Sequence, residues 1–132
     1  MAIEPLITKT SKKTFQETYR ALRSTIDENP NLKIILELDH SKNAASVDLK
    51  LAETKIILFG NPKLGTVLMN DNLDIAIDLP QKILVTNDAG VIKVIYNNIE
   101  YLKSKHSLSD ATLQVTTKIG AALDVITNKA IA

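Results

Sequence analysis

The run KILVTNDAGVIKVIY, Lys82 to Tyr96, constrains the fold more than any other part of the chain. Two β-rich runs flank Asn87-Asp88-Ala89-Gly90, and Gly90 supplies the positive φ that a tight hairpin loop needs. A hairpin commits both strands to an antiparallel sheet, and a sheet with an apolar face must be covered. What the remaining residues offer as cover decides the architecture.

Two helices are predicted to provide it. Thr14 with Glu17 makes a capping box, after which Phe15, Tyr19, Leu22 and Ile26 fall on one helical face. Asn29-Pro30-Asn31 ends that helix, since proline donates no amide hydrogen. At the other end of the chain Ser109 is the expected cap, and Thr112, Val115, Ile119, Leu123 and Ile126 define the stripe of a helix over about 109–129. Between them, Leu32 to His40 reads as a strand with Leu32, Ile34, Leu36 and Leu38 facing one way. Ile56 to Phe59 reads as a short central strand, apolar on both faces. Ile3 to Thr8 suits an edge strand that tolerates Pro5. Short helices are expected at Asn43 to Val47, after Pro62, and over Ile99 to Lys105; Leu73 to Leu79 fits extended chain or a further turn. The expected fold is α+β, a two-layer sandwich of a mainly antiparallel four- to five-stranded sheet with helices on one face. A chain of 132 residues supports one such domain.

The uncovered face is the first clue to function. Residues alternating with those placed inward include Lys33, Ile35, Glu37 and Asp39, then Lys82, Leu84, Val91, Lys93 and Ile95, with Ile57 and Phe59 adding apolar area. A contiguous patch of this kind marks a partner or ligand surface, and the expectation is a homodimer joined through it. The competing expectation is that the Pro62 to Pro80 segment folds back across the same face. Charge is balanced, 16 Lys plus Arg against 15 Asp plus Glu, so nucleic acid is not expected as a partner. No apolar run approaches bilayer length, the first residues do not read as a secretory leader, and there is no cysteine. The expected location is the cytoplasm.

Four residues are candidates for a ligand site: His40, Asn61, Lys63 and Asp78. GNPKLGT, Gly60 to Thr66, follows a strand and has a phosphate-loop glycine spacing, yet Thr66 follows Gly65 directly where the diagnostic lysine belongs. Weak binding of an anion or polar ligand and a purely structural turn are the two readings of that segment. His40 ends a strand, where an imidazole is accessible for proton transfer, but its neighbour Asp39 points to the opposite face, so a distant carboxylate such as Asp78 is required. Asp74 and Asp78, four apart, share a side and suit magnesium or acid–base chemistry, against ordinary solvent-side polarity. Asn61, Tyr96 and Asn97 offer neutral hydrogen bonds. His106, close after Lys103 and Lys105, reads as a solvated basic group at a helix end. The two histidines lack zinc-ligand spacing, and no cofactor is expected.

KIILFGNPKLGTVLM, continued by AIDLPQKILVTNDAGVIKVIYNN and YLKSKHSL and preceded by ELDHSKNAASVDLKL, resembles the domain of unknown function 302 family. The resemblance spans roughly Thr14 to Leu108. The family's Phe-Gly-Asn-Pro turn falls on Phe59, Gly60, Asn61 and Pro62, and its Asp-Leu-Pro motif on Asp78, Leu79 and Pro80, with Gln81 where leucine is frequent. It implies a compact two-layer sandwich that dimerises, and it implies no activity, substrate or cofactor. The functional expectation is a small dimeric binding or accessory protein with a small polar ligand held where His40, Asn61 and Asp78 meet. The alternatives are a small enzyme using His40 as acid or base, and a purely structural or protein-interaction domain.

Overall fold

The structure is a computed structural model that describes residues 2–132. Its strands are β1 (Leu6–Ser11), β2 (Lys33–Asp39), β3 (Thr54–Gly60), β4 (Gln81–Asp88) and β5 (Val91–Asn97), in the sheet order β1-β5-β4-β3-β2 with every neighbouring pair antiparallel. The helices are α1 (Phe15–Asp27), α2 (His40–Ala45), α3 (Pro62–Asp71), α4 (Ile99–Lys105) and α5 (Leu113–Ile131), with 3-10 turns at Leu73–Asp78 and Asp110–Thr112. The fold is the expected α+β sandwich.

The hairpin has the two-residue turn its sequence demands. Ala89 and Gly90 both adopt positive φ, 52° and 92°, as a turn that follows the right-handed strand twist requires. This sets the register of β4 against β5 and places Ile83, Val85, Val94 and Tyr96 on one face. Helix α1 starts with the predicted capping box: the Glu17 amide donates to the Thr14 hydroxyl oxygen, and Glu17 reaches back to Thr14. Its Leu22 and Ile26 are fully buried. Helix α5 packs beside it and contributes Ile119, Leu123 and Ile126 to the same core. Gly120 lets α4 come close, since a Cβ there would stand 3.2 Å from Ile99 Cγ2. Lys9 of β1 ties the sheet edge to α5, donating to Asp124, Thr127 and Asn128 at 2.7–2.8 Å.

Several local expectations are corrected. The edge strand begins after Pro5, at Leu6, and α2 begins directly at His40. In β2 strict alternation fails: a β-bulge between Ile34 and Leu36 makes Ile35 an extra residue. Ile34 keeps its place on the helix-covered face beside Phe59, but Leu36 and Leu38 then pair with Leu58 and Ile56 on the reverse face, and Glu37 comes beside Ile57 on the covered one. Glu37 is tolerated there because the Tyr19 hydroxyl (2.7 Å) and Arg23 (3.1 Å) donate to it; burial raises its pKa, and these donors outweigh that and hold it low. Ile57 and Phe59, expected on the reverse face, are core residues at 0% and 2% exposure. The register of β3 against β4, Ile57 opposite Ile83, dictates this. Ser109 does not cap a helix with its side chain; its hydroxyl donates to Asp71 instead.

The reverse face has no helical cover from the Pro62 to Pro80 segment, because α3 packs on α5 and buries Leu68 and Ile75 follows it into the core. Leu38, Ile56, Leu84 and Ile95 form one apolar row across four strands of that face, and each is only partly buried. Neighbouring residues Ile56 and Ile57 should therefore differ. At a dilution that excludes self-association, urea titration is expected to give Ile57→Ala a loss of about 2–5 kcal/mol and Ile56→Ala a clearly smaller one. Equal losses would put Ile57 on the wrong side.

Candidate functional site

The four candidate residues do not form one site. His40 follows Asp39, which lies opposite Lys55 near the start of β3, whereas Asn61 follows Gly60 at its end. Five residues of strand separate the two, about 17 Å. Asp39 caps α2, accepting from Ser41 (2.6 Å) and the Lys42 amide (3.0 Å), so it does not orient His40.

Asp78 is engaged elsewhere. His106 caps the C-terminus of α4 and is 7% exposed, not solvated; its Nε2 lies 2.5 Å from Asp78 Oδ2, and Lys105 Nζ lies 3.0 Å from the same oxygen. An ionised carboxylate only accepts, so the Nε2 carries the hydrogen. Lys82 donates to the carbonyls of Asp78 and Pro80, and Asn72 donates to that of His106. Burial raises the carboxyl pKa of Asp78, while the His106 and Lys105 bonds outweigh that and hold it below the ordinary value. Asp78 Oδ2 is shared by two internal donors, and the cluster fastens the 3-10 turn to α4. Asp74, the other half of the proposed acidic pair, is exposed. Among the described residues no group of three or more His, Asp or Glu is arranged to hold a metal ion.

Asn61 and Lys63, by contrast, line a cleft of about 790 Å³ at the end of β3. It is framed by the turn between α1 and β2, the start of α3, the Leu79–Pro80 segment and the middle of α5. Asn61 is built into this frame: its Oδ1 accepts the amides of Lys63 (3.1 Å) and Leu64 (3.2 Å), and its carbonyl accepts that of Gly65. Pro62 has no amide hydrogen. The backbone donors that a phosphate loop would offer are thus consumed, and Gly60 to Thr66 is a structural turn that starts a helix. Spacing alone did not reveal Lys33 and Lys118, which also line the cleft. They lie 85 positions apart, and only the packing of α5 across the sheet brings them to one opening.

Residues 7–126 match the family described as Domain of unknown function DUF302. The chain belongs to the DUF302 family. A crystal structure of an uncharacterized conserved DUF302 protein from Bacillus stearothermophilus matches with TM-score 0.83, covering 97% of this chain and 99% of the other at 16% identity, which establishes the shared fold. Fluoride-specific ion channel FluC 1 from Brucella suis biovar 1 is 33% identical over 104 residues, 78% of this DUF302 chain and 41% of that protein. FluC 1 from Brucella abortus biovar 1 is 33% identical over the same length, 38% of its own. The chain spans about two-fifths of the length of these curated relatives.

The Asp78 cluster makes a structural prediction. A carboxyl whose folded pKa is depressed contributes stability that is present above its unfolded pKa and lost as pH falls through the folded one. Asp78→Asn is expected to cost about 1–2 kcal/mol at neutral pH. It should also flatten the decline in thermal stability on the acid side, between about pH 5 and pH 1. Melting curves across that range in parent and variant test it, and parallel profiles would show that the carboxylate contributes nothing to the fastening.

Proposed function

We propose that this DUF302 chain is a small cytoplasmic homodimeric binding or accessory protein, which pairs through the reverse face of its sheet and holds a small molecule in the cleft beside Asn61 and Lys63. The observation that carries the binding reading is the cleft: about 790 Å³, in the range of small-molecule sites, with Phe59, Leu79, Ile119, Leu123 and Ile126 in its lining and polar groups at its mouth. The observation behind the dimer is the Leu38-Ile56-Leu84-Ile95 row, flanked by Leu36 at 49% exposure. Contiguous apolar surface of that kind is normally covered. The cytoplasm is the reducing compartment that suits a chain without cysteine.

Channel activity is not carried over from the Brucella proteins. The chain spans 41% or less of them, and among its described residues no helix is long and apolar enough to cross a membrane. A histidine-based enzyme loses its support as well, since His40 stands apart from Asp78 and the other histidine is committed to a structural bond.

Two measurements test the two halves. Sedimentation equilibrium is expected to give twice the chain mass, and Leu84→Glu and Ile95→Glu, cross-strand neighbours on the reverse face, should each give folded monomer. A monomeric parent, or a variant of unchanged dimeric mass, counts against the interface. The neutral dye N-phenyl-1-naphthylamine is expected to fluoresce on binding once per chain. Ala122→Trp, which fills the cleft from an exposed position on α5, should abolish the signal while leaving the melting temperature near that of the parent. A dye response that ignores Ala122→Trp would remove the cleft from the account.

A further inference from the structure

We infer that the occupant of the cleft is a small amphiphile bearing one anionic group, of which a medium-chain carboxylate is the simplest member. The inference rests on the reading of the cleft as a ligand site and names the class of ligand.

The polar part of the lining is one-sided. Lys33, Lys63 and Lys118 contribute to it, all exposed at its rim, and no Asp or Glu does. None of the three is paired with a carboxylate among the described residues, whereas Lys9, Lys93 and Lys105 are. Of the four amides in the lining, Asn29, Asn31, Asn61 and Gln81, two have their oxygens engaged by the backbone. Asn61 Oδ1 is occupied by two backbone amides, and Asn29 Oδ1 by the Asn31 amide at 2.9 Å. Backbone N–H groups can only donate, so these two side-chain oxygens are held by the backbone and each Nδ2 keeps its donors. A cation would meet three ammonium groups; a neutral polar solute would leave the apolar wall unused.

The apolar part sets the rest of the ligand. Phe59, Leu79, Ile119, Leu123 and Ile126 line the interior, and burying a chain of methylenes against them is favourable by about 0.8 kcal/mol per CH₂. The amides at the start of α3 are already bonded, so there is no backbone nest to favour a polyphosphate over a single carboxylate. An anion held by side-chain ammoniums at a wet rim, with its tail inside, satisfies both halves of the lining.

Competition against N-phenyl-1-naphthylamine with three ten-carbon probes, decanoate, decanol and decyltrimethylammonium, decides it. Decanoate is expected to displace the dye about tenfold better than decanol, the size of effect that two or three solvent-exposed charge contacts can give. The decyltrimethylammonium cation should be the weakest competitor. In the Lys33→Gln, Lys63→Gln, Lys118→Gln triple variant, decanoate and decanol should become equal competitors of the dye. Equal displacement by decanoate and decanol in the parent, or a decanoate preference that survives in the variant, overturns the anionic assignment and leaves the cleft intact as a neutral site. Absence of dye binding in the parent overturns the cleft reading and this inference together.

Discussion

Four side chains in the middle of the sheet, Ile57, Ile83, Val85 and Val94, have no accessible surface, and most of the architecture follows from covering them. They occupy one face of the three central strands, where the hairpin register and the β3–β4 register bring them side by side. A single helix about 10 Å across cannot cover such a face, so α1 and α5 lie next to each other over it. Thr18, Thr116 and Thr127 are fully buried in the same layer, each with its hydroxyl bonded to a neighbouring hydroxyl or helix carbonyl. Buried polar groups cost little when satisfied in this way, and none among the described side chains is left without a partner.

Elements whose signals are local were legible in the sequence, and those that depend on distant partners were not. The 87–90 turn, the Thr14–Glu17 box and the α5 stripe each lie within one segment, so spacing and residue type suffice. The bulge at Ile35 leaves no such trace. LKIILELDH alternates well enough to predict one uninterrupted face, and only the partner strand reveals that the phase changes after Ile34. A one-residue slip exchanges the two faces of a strand, which is why the inward and outward assignments of Leu36, Leu38 and Glu37 were reversed. His106 was read as solvated because its neighbours in the chain are lysines; its actual partner, Asp78, is 28 positions away. The same limit applies to the candidate site. Asn61 and Lys63 belong to one turn and stay together, but joining them to His40 required the ends of β2 and β3 to coincide, and these neighbouring strands are antiparallel, so their ends lie at opposite ends of the pair.

The two surfaces left over differ in kind because they arise differently. The reverse face is apolar because a central strand such as β3 is apolar on both sides, while only one layer of helices exists to cover it. That surface is broad and rimmed by threonine and lysine, in the way interfaces between folded chains are built. The cleft lies beside the start of α3, where Gly65 carries no side chain and the small residue Ala122 faces the opening from α5. At about 790 Å³ it has the size of a small-molecule site.

Overall charge balance conceals the electrostatic character of that cleft. A net charge of +1 over the whole chain argues against a polyanionic partner, because long-range attraction depends on the summed field. It carries no information about a site a few ångströms across, since charges further off than about 8 Å are largely screened at physiological ionic strength. Four of the 15 carboxylates are paired elsewhere: Asp124 on Lys9, Glu37 on Arg23, Asp88 on Lys93 and Asp78 on Lys105 and His106. Each of these pairs neutralises itself locally. What remains in the lining beside the Asn61 turn are three exposed lysines, Lys33, Lys63 and Lys118, with no carboxylate in that lining to offset them.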